Sequence, residues 1–221
     1  VKKIWAALFD WDGVIINSAR HHEESWERLA KEEKASLPTG HFEKSFGRKN
    51  EWIIPNLLHW TDNEEEIRRI SLRKEALYRE IVVEWGIEPL PGAVTFLNEL
   101  QSAGIPRIIG SSTHRLNIET ALGQMGLSSA FDDMITAEDV STGKPDPEVF
   151  LKAAARAGVE PSRGVVFEDA HVGIEAARRG GLHVVALSTT HPRETLSDAD
   201  LVVENLSAVT IPLLEERLKL Q

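Results

Sequence analysis

The sequence predicts an α/β fold, a doubly wound parallel sheet carrying a small all-helical second domain. Three observations predict it. From Pro91 onward short apolar strands alternate with helical periods, the pattern of repeated βα units. The strands are continuously apolar, as in Val165-Val166-Phe167, so both of their faces are expected to be covered. Between the first strand and Pro91 lies a charged, tryptophan-rich stretch of helical period with no strand in it, the pattern of an insertion. A chain of 221 residues suits a full-sized domain with such an insertion. The expected division is a core of residues 1–17 and 86–221 and a helical domain of residues 18–85.

The elements follow in order. Ile4-Trp5-Ala6-Ala7-Leu8-Phe9 reads as a buried strand that stops at Asp10-Trp11-Asp12-Gly13. Helical periods run over Glu23 to Lys34 and over Asn63 to Val83, the second opened by the helix-start run Thr61-Asp62-Asn63-Glu64-Glu65. Pro91-Gly92 begins a helix over Ala93 to Ala103, which Gly104 ends. Pro106 to Gly110 reads as a strand, Leu116 to Met125 as a helix and Met134 to Thr136 as a short strand. A helix over Pro147 to Ala157 precedes a strand at Gly164 to Phe167, and a helix over Val172 to Arg179 is closed by Gly180-Gly181. His183 to Leu187 and Leu201 to Val203 complete the strands.

Open α/β sheets place their chemistry at the carboxyl ends of the strands. At the first end, Asp10 and Asp12 stand two residues apart and point towards one side, where they repel unless a cation or proton lies between them. At the second, the hydroxyls of Gly110-Ser111-Ser112-Thr113 and the N–H groups of the following helix start can hold a phosphate. Lys144, fixed between Gly143 and Pro145, is a counter-charge for a phosphoryl group. Glu168-Asp169, after a strand opposite Asp10, completes a hard, oxygen-rich site suited to Mg²⁺. Taken singly, each feature has an ordinary reading: a solvated turn, a helix N-cap, an exposed lysine, a capping aspartate.

Composition narrows the classes. With 42% hydrophobic and 27% charged residues the chain is globular rather than disordered. A net charge of -10 speaks against nucleic acid and anionic membranes as partners. Without cysteine there is no disulfide framework and no thiolate-bound zinc. No signal-peptide pattern opens the chain, and no apolar run approaches the roughly 18 residues that span a bilayer. The expectation is a cytoplasmic protein acting on a small molecule, monomeric because opening of a second domain needs no partner subunit.

The four strand ends, in this order, resemble the motifs of the haloacid dehalogenase-like hydrolases, in the β-phosphoglucomutase and phosphoglycolate phosphatase branch, whose helical cap follows motif one. Phe9-Asp10-Trp11-Asp12-Gly13-Val14 is similar to motif one, with Trp11 where many relatives carry Leu or Met. Ile108-Ile109-Gly110-Ser111-Ser112 is similar to motif two and Gly143-Lys144-Pro145-Asp146-Pro147 to motif three. Phe167-Glu168-Asp169 with Gly173-Ile174-Glu175-Ala176-Ala177 is similar to motif four, so that the resemblance covers nearly the whole chain. It implies a Rossmann-like core and a Mg²⁺-dependent phosphatase of sugar or polyol phosphates working through an aspartyl-phosphate. In that reading Asp10 is the nucleophile and Asp12 the general acid and base. The implied metal ligands are the Asp10 carboxylate, the Asp12 carbonyl and Asp169, with Glu168 in support. Ser111, the N–H of Ser112 and Lys144 would hold the phosphoryl oxygens. An acid at Asp12 disfavours carbon–halogen cleavage, because a leaving halide needs no proton.

Within the cap, His22 and Lys74 are similar to residues that face the substrate in β-phosphoglucomutase. Their ordinary readings are a helix-surface histidine beside His21 and a lysine solvated next to a glutamate. The alternative activity is a hexose-phosphate mutase. Against it, Phe46-Gly47-Arg48-Lys49-Asn50 puts Asn50 where the mutase carries an arginine for the second phosphate, with Arg48 or Lys49 as substitutes. Asn17 replaces the usual aspartate in the tail of motif one. Trp11-Asp12-Gly13-Val14-Ile15, Lys49-Asn50-Glu51 and Asp198-Ala199-Asp200-Leu201-Val202-Val203 are similar to plant-type phosphatases of the riboflavin pathway. His171 is either solvated or at the phosphate mouth, and Trp26, Trp52 and Trp60 are expected in the cap core. A silent binding domain would be expected to lack a motif acid, and all of them are present.

Overall fold

The computed structural model describes residues 5–45 and 48–220; Ile4, Phe46 and Gly47 of the sequence expectations lie outside the described residues. Two compact units result, Val1–Asn17 with Ile87–Gln221, and Ser18–Gly86. Gly86, assigned above to the core, sits in the helical unit, where its carbonyl accepts a 2.8 Å hydrogen bond from the buried His21 Nε2.

The helical unit contains α1 (Ala19–Glu33), α2 (His41–Ser45), α3 (Asn50–Trp52) continued by π-helical Ile53–Leu58, and α4 (Glu64–Trp85). Helix α1 starts four residues before the expected Glu23, because its first turn, Ala19-Arg20-His21-His22, is polar and carries no apolar period. Helix α4 begins where its N-cap indicates. Asn63 accepts the Glu66 N–H, and Glu64, Glu65 and Glu66 fill the first turn, where negative charge is favoured. The unit's core is the stripe Trp26, Leu29, Ile53, Ile54, Leu58, Ile70 and Leu77. Along its surface Arg28 pairs with Glu84, Arg69 with Glu33 and Arg73 with Glu32, each at 2.7 Å. Exposed pairs of this kind contribute about 0.2–1 kcal/mol each, so the apolar stripe dominates. Trp26 and Trp60 belong to it, but Trp52 is 39% exposed and carries the Arg48 guanidinium 3.9 Å above its ring.

The other unit is built on β1 (Ala6–Phe9), β2 (Arg107–Gly110), β3 (Asp133–Ile135), β4 (Gly164–Glu168), β5 (His183–Leu187) and β6 (Leu201–Val203). All pairings are parallel and the order is β3-β2-β1-β4-β5-β6. The chain moves outward from β1 to β3, then crosses back to β4. The switch point between β1 and β4 is where such sheets bind ligands.

Side chains two residues apart share a face. Ala6, Leu8, Ile108, Ile135, Val166, Val184 and Ala186 pack beneath α7 (Glu148–Arg156) and α8 (His171–Arg179). On the opposite face Phe9 and Phe167 stack at 4.7 Å, and Phe96 of α5 (Ala93–Ser102) meets both edge-on at 6.3 and 5.4 Å. A fully buried phenylalanine contributes about 1.5–3 kcal/mol, so this cluster anchors β1 to β4 beside the switch point. Helices α6 (Arg115–Met125) and α9 (Ile211–Arg217) complete the unit. The sequence gives no sign of α9, whose seven residues are too short to display a period. Among the described residues no helix is long and apolar enough to cross a membrane.

Candidate active site

Register brings the distant residues together. Phe9 pairs with Ile109 on one side and Phe167 on the other, so Asp10 leaves the sheet level with Gly110 and Glu168. The Asp10 N–H still donates to the Phe167 carbonyl at 2.9 Å, which fixes its backbone to β4. Lys144 arrives from the loop before α7. Its ammonium bridges Asp10 Oδ1 at 2.8 Å and Glu168 Oε1 at 2.7 Å, and its side chain is 7% exposed. Glu168 is pinned at its other oxygen by the N–H groups of Asp169 and Ala170, at 2.7 and 2.6 Å. Asp169 accepts from the Thr190 hydroxyl. It does not cap α8, whose N-cap is Ala170.

Carboxylate oxygens of Asp10, Glu168 and Asp169 all lie within 4.8 Å of one another. Three acids surround one ammonium, and the electrostatics follow. Burial opposes the charge on Lys144, but Asp10 and Glu168 outweigh it and hold the lysine protonated. Burial pushes the Glu168 carboxyl up against the pull of Lys144. Burial, then Glu168 and Asp10, push the Asp169 carboxyl up to about 8. This excess of buried negative charge, presented by oxygen donors alone, fits a hard divalent cation such as Mg²⁺. Space is also kept for these carboxylates. Gly13, at φ +78°, faces Asp169 so closely that a Cβ would overlap Oδ2, and a Cβ on Gly173 would overlap Glu168 Oε1.

Asp12 sits apart from this cluster. Its Oδ2 accepts a 2.5 Å hydrogen bond from the Thr113 hydroxyl. Ser111 is buried at the end of β2 and its Oγ accepts the Thr113 N–H at 3.2 Å, whereas Ser112 is exposed. The Thr189 hydroxyl donates to the Gly13 carbonyl at 2.5 Å. Thr113 was placed above among the phosphate-holding hydroxyls, whereas Thr189 and Thr190 were not singled out. The strand-end rule that found Asp10 and Glu168 applies equally to Thr189-Thr190, which follow β5. His171 stacks at a tilt on His191, with ring centroids 4.7 Å apart.

His22 and Lys74 meet inside the helical unit, where Lys74 Nζ lies 2.8 Å from His22 Nδ1. Lys74 is not solvated as its ordinary reading held, and His22 is half-buried. Lys74 is 3% exposed, and His22 stacks on Tyr78 at 4.2 Å. Because an ammonium can only donate, Nδ1 presents its lone pair and the neutral imidazole carries its proton on Nε2. Burial, with Lys74 next, holds the His22 pKa well below 6.5. Glu75 accepts from Lys74 at 3.0 Å and from Asn50 Nδ2 at 2.6 Å, and Asn50 also reaches Ser71 Oγ at 3.1 Å. Asn50 is therefore a buried structural amide, while Arg48 lies over Trp52.

Residues 4–181 match the family model of the haloacid dehalogenase-like hydrolases. The chain is 35% identical over 208 residues to the chloroplastic 5-amino-6-(5-phospho-D-ribitylamino)uracil phosphatase of Arabidopsis thaliana, covering 93% of this chain and 55% of that protein. It thus spans about half the length of that plant relative. It is also 35% identical over 212 residues to validoxylamine A 7'-phosphate phosphatase of Streptomyces hygroscopicus subsp. limoneus, covering 93% of this chain and 96% of that one. Among solved structures, β-phosphoglucomutase of Clostridium difficile superposes with a TM-score of 0.85 at 27% identity, covering 98% of this chain and 97% of that one.

Proposed function

Since the chain belongs to the haloacid dehalogenase-like hydrolases, with named phosphatases among its relatives, we propose that it is a Mg²⁺-dependent phosphatase of a small sugar or polyol phosphate. The observation that carries this reading is the contact of Lys144 with both Asp10 and Glu168, three residues from three separate stretches of the sequence. A nucleophile, its counter-charge and an acidic metal cradle are what phosphoryl transfer requires.

Asp10 attacks phosphorus through a carboxylate oxygen, and the ester P–O bond breaks to give an aspartyl-phosphate and an alcohol. Asp12 gives its proton to the departing oxygen. It then takes a proton from water, which attacks phosphorus and releases inorganic phosphate from Asp10. Lys144, Ser111 and the N–H of Ser112 hold the phosphoryl oxygens as charge develops on them. Asp10, Asp169 and the Asp12 carbonyl, with Glu168 in support, would hold the magnesium ion. When bound, that ion shields the Asp10 carboxylate from the phosphate so that one anion can approach another. His22 and Lys74 contribute to substrate choice, held together through the Lys74 Nζ–His22 Nδ1 contact.

The polyol preference draws on the Arabidopsis relative, named for a phospho-ribityl compound. A mutase would need a second anion site, and the residue in the arginine's place is a neutral amide bound to Glu75 and Ser71. One assay separates the two. With β-glucose 1-phosphate and Mg²⁺ a phosphatase accumulates free phosphate, whereas accumulation of glucose 6-phosphate would establish the mutase.

A further inference from the structure

We propose that Thr113 is a positioning residue for the proton-transferring carboxylate of Asp12, and not part of the phosphate cradle to which its place beside Ser111 and Ser112 first assigns it. This rests on the phosphatase reading and deepens it. The Thr113 hydroxyl donates to Asp12 Oδ2 at 2.5 Å, across 101 residues of sequence. At that length a hydroxyl–carboxylate bond is of the strong, charge-assisted kind. A phosphate in the cradle would have to compete with Asp12 for the single O–H of this residue.

Both partners stand on fixed backbone. Thr113 donates its N–H to Ser111 Oγ at 3.2 Å, and its carbonyl accepts the Ala137 N–H at 3.2 Å, which ties the loop after β2 to the turn after β3. On the other side, Gly13 N–H donates to the Ile16 carbonyl at 2.8 Å and Ile15 N–H to the Trp11 carbonyl at 2.9 Å, while the Trp11 side chain is fully buried. The Gly13 carbonyl is itself held by Thr189. The Asp12 backbone is thus set by a tight turn, and Thr113 holds Oδ2 of its carboxylate.

The chemistry gives this restraint a distinctive signature. General acid catalysis accelerates a step by about 10²–10⁴-fold and depends on alignment with the departing oxygen. A sugar or polyol alkoxide departs only as it is protonated, whereas p-nitrophenolate departs without a proton. A loosened Asp12 therefore slows the first class of ester far more than the second, while binding of the shared phosphoryl group is untouched.

The test uses Thr113→Val, which keeps the shape and removes the hydroxyl, and Thr113→Ser, which restores it. Single-turnover release of the leaving group is followed for the best sugar or polyol phosphate of a substrate panel and for p-nitrophenyl phosphate. Expected for Thr113→Val is a fall of about 10–100-fold with the alkyl ester at unchanged KM, and no more than about threefold with the aryl ester. Thr113→Ser recovers most of the alkyl rate. Equal losses on both esters would overturn the proposal in favour of a structural role, and a raised KM with unchanged kcat would return Thr113 to the phosphate cradle. Equal rates in all three proteins would also overturn it, while leaving the phosphatase reading standing. A wild-type protein that cleaves neither ester would overturn both.

Discussion

Replacing Gly173 by alanine should unsettle the acidic cradle from behind. Gly173 lies in the first turns of α8, and a Cβ built there overlaps Glu168 Oε1. Glu168 is 1% exposed, and three hydrogen bonds leave it nowhere to go: Lys144 at 2.7 Å, the Asp169 N–H at 2.7 Å and the Ala170 N–H at 2.6 Å. Displacing the carboxylate breaks one or two of these, at about 1.5–3 kcal/mol each for bonds to a charged group. Against this stands the gain of about 1 kcal/mol that alanine brings to a helix over glycine. The expected net loss is about 0.5–5 kcal/mol, a fall in Tm of up to about 20 °C for a chain of this size. Gly123→Ala in α6 is the matched control, because a Cβ there meets nothing within 4 Å. It should keep or raise the stability by up to about 1 kcal/mol. Thermal and urea denaturation of the two variants read the difference. A Gly173→Ala protein as stable as Gly123→Ala would refute the claim that Glu168 is locked in place.

Two further outcomes are expected. The His22 imidazole is held below its ordinary pKa of 6.5 by burial and then by Lys74, with Glu75 opposing and His21 adding to the fall. The unfolded chain therefore takes up a proton first, so this contribution to stability is complete above pH 6.5 and declines as the pH drops below it. Denaturation midpoints between pH 7.5 and 5.5 should fall more in wild type than in His22→Gln, and parallel curves would contradict the buried neutral imidazole. Mg²⁺ at about 100 times its Kd should stabilise the wild type by about 2.7 kcal/mol, a rise in Tm of several degrees, and EDTA should abolish turnover reversibly. Asp169→Asn should lose most of that thermal shift, and an undiminished shift would place the cation elsewhere.

The sheet was legible because parallel strands buried on both faces are written as unbroken apolar runs, and β1 and residues 184–187 of β5 are of that kind. The meeting of Asp10, Lys144, Glu168 and Asp169 follows from the topology. Once the strands are known to be parallel, their carboxyl ends share one edge. What stayed hidden depends on contacts that no period encodes. Nothing in Ser111-Ser112-Thr113 says which hydroxyl turns to Asp12 and which accepts the Thr113 N–H. The chain Asn50–Glu75–Lys74–His22 joins residues on three helical segments through side-chain length and angle alone. Trp52 looked like core because tryptophan usually is, but it ends α3 on the outer side and is covered by Arg48 instead.

The measurement that bears most directly on the mechanism is acid quenching of a turnover with ³²P-labelled p-nitrophenyl phosphate, followed by peptide mapping. The expected result is acid-stable label on the peptide containing Asp10, absent from Asp10→Asn, which should also fail to turn over. Turnover with no label on the protein, or label persisting in Asp10→Asn, would contradict an aspartyl-phosphate at this position.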